Sequence, residues 1–305
     1  MGAGTPIGAS ASVRVPATSA NVGPGFDCVG LALDLWDEVS VETAPGHGVR
    51  IDVTGEGEHT VPRDESHLVL ATLRQGLVDL GHPQPDVAVH LTAHNRIPQS
   101  RGLGSSAAAV VAGLALAWAL ARPGEPLDRD VLLTMAAGIE GHPDNAAPAI
   151  LGGAQLAWVA EDGVHHLPLE VDPSIRMRTY VPDRQVPTAL ARHVLPESIP
   201  RRHAVKQVLA ASLFVTALTS SPDHLFEATR DWIHQPYRRS LMPESASLID
   251  DLRGRGVPAV ISGAGSTVLA IGTPEQLRGG EDVDVSAFRV TDLTLGGGVE
   301  LSVPN

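Results

Sequence analysis

Cysteine is nearly absent from this chain. The single thiol, Cys28, excludes an intrachain disulfide and fits a reducing compartment. Basic residues are scarce too. With 22 Lys+Arg against 35 Asp+Glu, the net charge is −13 with the 13 His counted neutral. That excludes a general nucleic-acid binder, which needs a basic footprint to displace counterions. It does not exclude a small anionic ligand, because a few local groups can hold one. The first twelve residues lack the basic start and long apolar stretch of a signal peptide, so a cytoplasmic location is expected. One uncharged run, Gly102 to Ala121, is long enough to cross a bilayer, but alanine dominates it. That is weak hydrophobicity for lipid and ordinary for a helix buried in protein, so no membrane partner is expected.

Hydrophobic residues make up 43% of 305, ample for a core, and at about 150 residues per domain the length suggests two domains. Val49 to Thr54 and Val87 to Thr92 alternate as half-buried strands do. Ser66 to Leu80 has helical spacing, with Val69, Leu73, Leu77 and Leu80 on one face, Gly81 as its stop and Pro83 beyond. A helix is predicted from an Asp128 cap to Glu140, with Val131, Leu132, Met135, Ala136 and Ile139 inward. Pro- and Asp-rich connections mark the middle, and a change of domain is expected near residue 165. Beyond it, helices are predicted at Arg201–Thr219, Pro222–Ile233 and Glu244–Arg253. Strands are predicted at Ile175–Val181, Pro258–Ser262, Thr267–Ile271 and Phe288–Leu293. Interleaved strands and helices indicate α+β or α/β.

Four segments could carry chemistry. In Pro98-Gln-Ser-Arg-Gly-Leu-Gly-Ser-Ser-Ala107, small residues open a long helix. They leave backbone N–H groups uncovered at its positive end, which is a ready phosphate site. A glycine-rich turn before a buried helix would look the same. No lysine follows the glycines, so this is not a Walker A loop, and the acid a dinucleotide fold needs follows no strand. Pro16 to Asp27 sets Asn21 and Asp27 in a tight, small-residue segment, which a strand-to-strand turn would also explain. Glu140-Gly-His-Pro-Asp-Asn145 gathers four polar side chains at a helix end. His142 has no partner at zinc spacing, whereas a glutamate beside a phosphate loop suits Mg²⁺. Ser262-Gly-Ala-Gly-Ser-Thr267 alone reads as a glycine hairpin. Arg192 and Arg238 carry the fork that binds a carboxylate through two hydrogen bonds. Cys28, in an apolar strand, is a poor nucleophile.

Taken in order, Pro16–Asp27, Gly102–Ala107 and Ser262–Thr267 resemble the motifs of the GHMP small-molecule kinases. The likeness covers nearly the whole chain. Asn21-Val-Gly-Pro-Gly-Phe-Asp27, His142-Pro-Asp-Asn145, Thr188…Arg192 and Pro236-Tyr-Arg238 are most similar to members acting on L-homoserine, on the route to threonine. The resemblance implies an α+β fold in two domains. The first, residues 1–165, would be an α/β domain with a left-handed βαβ crossover; the second, 166–305, would be ferredoxin-like. It implies ATP bound by Pro98, Arg101, Gly102, Leu103, Gly104, Ser105, Ser106 and Ala107, with Mg²⁺ on Ser106 and Glu140. Asn21 and Asp27, helped by His142 and Asn145, would meet the amino and hydroxyl end of homoserine. Arg192 and Arg238 would clamp its carboxylate. Asp27, Asn145 and Glu140 would lie nearest the chemistry, and the Gly263–Gly265 turn would shape the site. A homodimer is a further expectation. Two positions depart from relatives. Ser266 stands where many have proline and is expected to loosen a turn, and Asn145 stands where sugar and mevalonate kinases carry a possible base.

Overall fold

The computed structural model describes residues 8–82 and 87–303. Pro83 lies outside the described residues. A long strand organises the first sheet. β1 (Ser10–Asn21) pairs antiparallel with β2 (Gly25–Pro45), whose 21 residues serve three neighbours. β3 (Val49–Gly55) leads through α1 (Leu68–Asp79) to β4 (Val87–Asn95), which lies parallel to β3 and antiparallel to β2. The β3–α1–β4 unit is a parallel βαβ crossover. α2 (Ser105–Ala121), α3 (Arg129–Glu140) and α4 (Ala146–Leu151) follow. The hairpin β5 (Ala154–Ala160) and β6 (Gly163–Leu169) then pairs with the start of β2.

α2 explains the uncharged run. It is apolar on every side, and such a helix must be covered on every side. It packs against α1, β1, α3 and α4, and Leu114, Leu116 and Val111 are fully buried. Truncating either leucine to alanine would cost roughly 2–5 kcal/mol. Among the described residues no helix is long and apolar enough to cross a membrane.

The second sheet starts at β7 (Arg176–Pro182). After it come α5 (Thr188–His193), α6 (Arg201–Thr219), α7 (Leu225–Ala228), α8 (Gln235–Arg238) and α9 (Pro243–Gly254). β8 (Ala259–Ile261), β9 (Val268–Gly272), α10 (Pro274–Arg278) and β10 (Phe288–Leu293) complete it. Its order, β10-β7-β9-β8, is antiparallel throughout and matches the ferredoxin-like arrangement. The chain finally returns to the first sheet, where β11 (Glu300–Ser302) pairs with β1. Residue 165 falls inside β6, and the connection from the first sheet to the second is 170–175.

Several local expectations shift. Pro16–Asn21 is strand rather than turn, so the first motif is the end of β1, a short bend and the start of β2. α3 begins at Asp128, whose carboxylate accepts from the N–H groups of Asp130 and Val131. Its inward face, however, is Leu132, Leu133, Ala136 and Ala137, while Val131 and Ile139 are exposed. Small alanines there allow close contact with α2 and α4. The helix expected over Pro222–Ile233 ends at Ala228. Beyond it the Asp231 carboxylate accepts from the N–H groups of Ile233, His234 and Gln235, turning the chain. A side chain that satisfies backbone donors in this way competes with helix continuation.

Asp37, on β2, fixes the exit of β4. Its Oδ1 accepts from the N–H groups of Arg96 (2.6 Å) and Ile97 (2.9 Å). Burial pushes its pKa up to about 6, against two hydrogen bonds that pull it down. A carboxyl raised above its unfolded pKa of about 3.9 favours folding most when protonated, so this contribution is lost as pH climbs through about 6. Asp37→Asn keeps the Oδ1 acceptor without the charge. Relative to that variant, wild type is expected to lose on the order of 2–3 kcal/mol between about pH 4 and about pH 7. Urea unfolding of both proteins at the two pH values tests this; parallel pH dependence would contradict it.

Candidate active site

The loop before α2 is a meeting of backbones. Gly102 (φ 78°) and Gly104 (φ 71°) take left-handed conformations. A Cβ on Gly102 would overlap the Ser262 carbonyl, and one on Gly104 would overlap the Thr18 hydroxyl. Only glycine meets both demands. Gly104 stands at the head of α2, and no side chain caps that helix. Ser105, Ser106 and Ala107 line a cleft of about 340 Å³. Their first-turn amides and the helix dipole give that wall positive character.

The other two glycine motifs pack against this loop. The Thr18 N–H donates to the Leu103 carbonyl at 3.1 Å. The Ser262 hydroxyl donates to the Gly102 carbonyl (2.6 Å) and sits 2.8 Å from the Ser19 hydroxyl. The Gly263 N–H donates to the Ala20 carbonyl at 2.9 Å, and the Thr267 N–H to the Arg101 carbonyl at 3.0 Å. Ser266 does not loosen the turn: its buried hydroxyl donates to the Arg184 carbonyl. Pro98 and Leu103 are buried and support the loop from beneath. The Arg101 guanidinium is spent on the carbonyls of Gln99, Pro182 and Asp183, which fastens the loop to the end of β7.

The Ser106 hydroxyl donates to Glu140 Oε1 at 3.1 Å. Burial raises the Glu140 pKa, although the Ser106 bond opposes the shift. A hydroxyl and a carboxylate beside an uncapped helix N-terminus form a donor set suited to a hard cation such as Mg²⁺. Among the described residues no cluster of three or more His, Cys, Asp or Glu could hold a metal, so a zinc centre has no support. Next to Glu140, His142 Nδ1 hydrogen-bonds Asp144 Oδ1, and this bond raises the His142 pKa against the effect of burial. Asn145 uses its Oδ1 to accept from the Thr18 hydroxyl (2.7 Å) and its amide to donate to Asp144 (3.3 Å).

Arginines face the far side. Asn21 (φ 68°) and Asp27 (φ 58°) are non-glycine residues held left-handed, a strain that functional sites often carry. The Asn21 amide donates to the Gly263 carbonyl (2.9 Å), and its Oδ1 accepts from the Asp27 N–H (3.0 Å). Arg192 grips the Asp27 carboxylate through two hydrogen bonds of 2.9 and 3.3 Å. Arg238, 2% exposed, lines the cleft. Burial first, then the neighbouring Arg192 charge, pulls its pKa down. Two guanidinium groups near enough to repel each other favour an anion beside them. Cys28 is no nucleophile: burial pushes its thiol up to about 11.

Comparison with known proteins agrees with this geometry. Residues 67–153 match the model for the GHMP kinases N terminal domain, and 214–279 that for GHMP kinases C terminal. A homoserine kinase of Cutibacterium acnes is 72% identical over 290 residues, covering 95% of this chain and 98% of its own. The chain belongs to the homoserine kinases of the GHMP kinase family. A Streptomyces coelicolor homoserine kinase is 48% identical over 86% of this chain and 84% of its own. The crystal structure of a Cytophaga hutchinsonii homoserine kinase superposes with a TM-score of 0.80 at 27% identity, covering 96% of this chain and 97% of that one. Like other GHMP kinases, this chain is an ATP-using enzyme.

Some cleft residues left no motif. Val61 and Pro62, from the connection between β3 and α1, and Leu68, at the start of α1, give the cleft an apolar wall suited to a flat base. In the sequence they are indistinguishable from core. Thr18 and Ser19, inside the first motif, act through hydrogen bonds to the distant Asn145 and Ser262, which spacing cannot show, while Asp144 bonds its neighbours His142 and Asn145. Asp144→Asn removes the support of the His142 proton. An NMR titration of that ring is expected to give a midpoint at lower pH than in wild type; an unmoved midpoint would contradict the pairing.

Proposed function

We propose that this chain transfers the terminal phosphoryl group of ATP to the side-chain hydroxyl of L-homoserine, giving O-phospho-L-homoserine and ADP on the route to threonine. The observation that carries this reading is that one cleft is lined by both an uncapped helix terminus and the buried Arg238, with the Arg192–Asp27 pair near enough for its charges to act on that arginine. The amides of Ser105 to Ala107 suit the nucleotide phosphates. Arg238 and Arg192 suit a carboxylate, and Asn21 and Asp27 suit the ammonium and hydroxyl of an amino-acid alcohol. A neutral sugar would leave the buried Arg238 without a counter-charge, which disfavours the sugar-kinase alternative.

The hydroxyl oxygen attacks the terminal phosphorus while its bond to the bridging oxygen breaks. The loose transition state of this reaction keeps the attacking hydroxyl protonated until late, when the proton leaves to a phosphoryl oxygen and from there to water, so the side chains contribute mainly position and charge. Asn145 fits that scheme: it orients neighbours through Thr18 and Asp144 and accepts no proton. Ser106 and Glu140 would hold Mg²⁺. When bound, that ion neutralises phosphate charge.

A coupled ADP-release screen over homoserine, mevalonate, galactose and shikimate is expected to respond to homoserine alone; turnover with a different alcohol would overturn the reading. Arg238→Ala is expected to raise the homoserine KM by at least about tenfold, the scale of one lost charged hydrogen bond. The KM for ATP should hardly move, and equal effects on both substrates would count against the clamp. Glu140→Ala is expected to weaken turnover at low Mg²⁺, with partial rescue by excess Mg²⁺. A wild-type Mg²⁺ response would remove Glu140 from the site.

A further inference from the structure

Behind the carboxylate arginine lies a residue that belongs to none of the motifs. His234 is 0% exposed. Its Nε2 sits 2.7 Å from the Gly23 carbonyl oxygen, which can only accept, so Nε2 carries the ring proton. Nδ1 is then a lone pair, and it accepts from Arg238 Nη1 at 3.2 Å. A second ring proton would set N–H against N–H at that contact. The imidazole also stacks on Phe26, with centroids 5.1 Å apart and planes 21° apart. The Arg238 guanidinium lies 5.5 Å from the same Phe26 ring. Gly23 and Phe26 belong to the segment that presents Asn21 and Asp27. The backbone under His234 is itself fixed by Asp231, which accepts from the His234 N–H at 3.1 Å. One neutral ring therefore touches both walls of the substrate end: the Asn21–Asp27 segment and the carboxylate arginine.

We propose that His234 is a positioning residue, a neutral strut that sets the distance between the Asn21/Asp27 grip and Arg238 and so matches the site to an amino-acid alcohol of one length. This rests on the reading of the site as a homoserine kinase. Arg238 has further anchors at the Ala191 carbonyl (3.0 Å) and the Gly263 carbonyl (3.2 Å), so loss of the strut shifts the guanidinium rather than freeing it.

The test uses three variants of the full chain. His234→Gln can keep a donor for Gly23 but loses the acceptor for Arg238. His234→Asn places an oxygen near the Nδ1 position, and His234→Ala removes both. In His234→Gln the homoserine KM should rise about tenfold, the scale of one hydrogen bond to a charged group. Its kcat should stay within about twofold and its ATP KM should be unchanged. His234→Asn should recover part of that KM, and His234→Ala should also lose preference for homoserine over serine. If the alanine variant does not fold, the Gln and Asn variants decide, each with its unfolding midpoint recorded. A wild-type homoserine KM in His234→Gln, or homoserine and ATP KM values rising together, would overturn the strut. Wild-type protein is assayed first: failure to phosphorylate homoserine would overturn the function itself, whereas normal wild-type turnover with an unmoved KM in His234→Gln would overturn the strut alone.

Discussion

Three glycine-rich segments, far apart in the chain, cross at backbone contact distance. The loop before α2 needs Gly102 to lie against the Ser262 carbonyl and Gly104 to lie against Thr18. Hydrogen bonds from Ser262 and Thr18 lock that loop to the late turn and to the end of β1, and one from Gly263 ties the late turn to β1 itself. Because no side chain intervenes, the head of α2 stays open, and its amides face a cleft instead of a cap. The two sheets thus share one seam, and the site is built on it.

Charge is distributed to match. A chain of net −13 would repel ATP if its charge were spread evenly. Around the cleft the balance is local. The α2 terminus and Arg238 supply positive potential where phosphate and carboxylate are expected. Glu140 and Asp144 also line the cleft, one beside the Mg²⁺ candidate Ser106 and the other holding His142. The Arg192–Asp27 pair, with both partners partly exposed, is a weak surface bridge in energy. Its value is geometric: it ties α5 to the start of β2 at hydrogen-bond distance.

Much of the fold was visible in the sequence, because periodicity reports burial directly. α2 starts at Ser105 and α6 spans Arg201–Thr219, both as predicted, and β10 matches residue for residue. The β5–β6 hairpin escaped notice because Trp158, Val159 and Leu167 break the alternation with exposed apolar residues. The end of α7 escaped because Asp231 stops the helix through its side chain, and an aspartate in a helical pattern gives no such warning. Asn21, Gly102, Gly104 to Ala107, Glu140, His142, Asn145 and Arg238 line one cleft, whereas Arg192 is held on Asp27 and Arg101 is a tether to the carbonyls of Pro182 and Asp183. His234 was invisible for the same reason: its partners, Gly23 and Arg238, become neighbours only through the tertiary fold.

The central claim is that peptide N–H groups, not a lysine, hold the nucleotide. It is tested most directly by titrating ¹⁵N-labelled protein with Mg²⁺-ATP and following backbone amides. The largest shifts are predicted at Ser105, Ser106 and Ala107, with little change at the first amides of α6. Unmoved amides at the head of α2, alongside clear binding elsewhere in the spectrum, would contradict it.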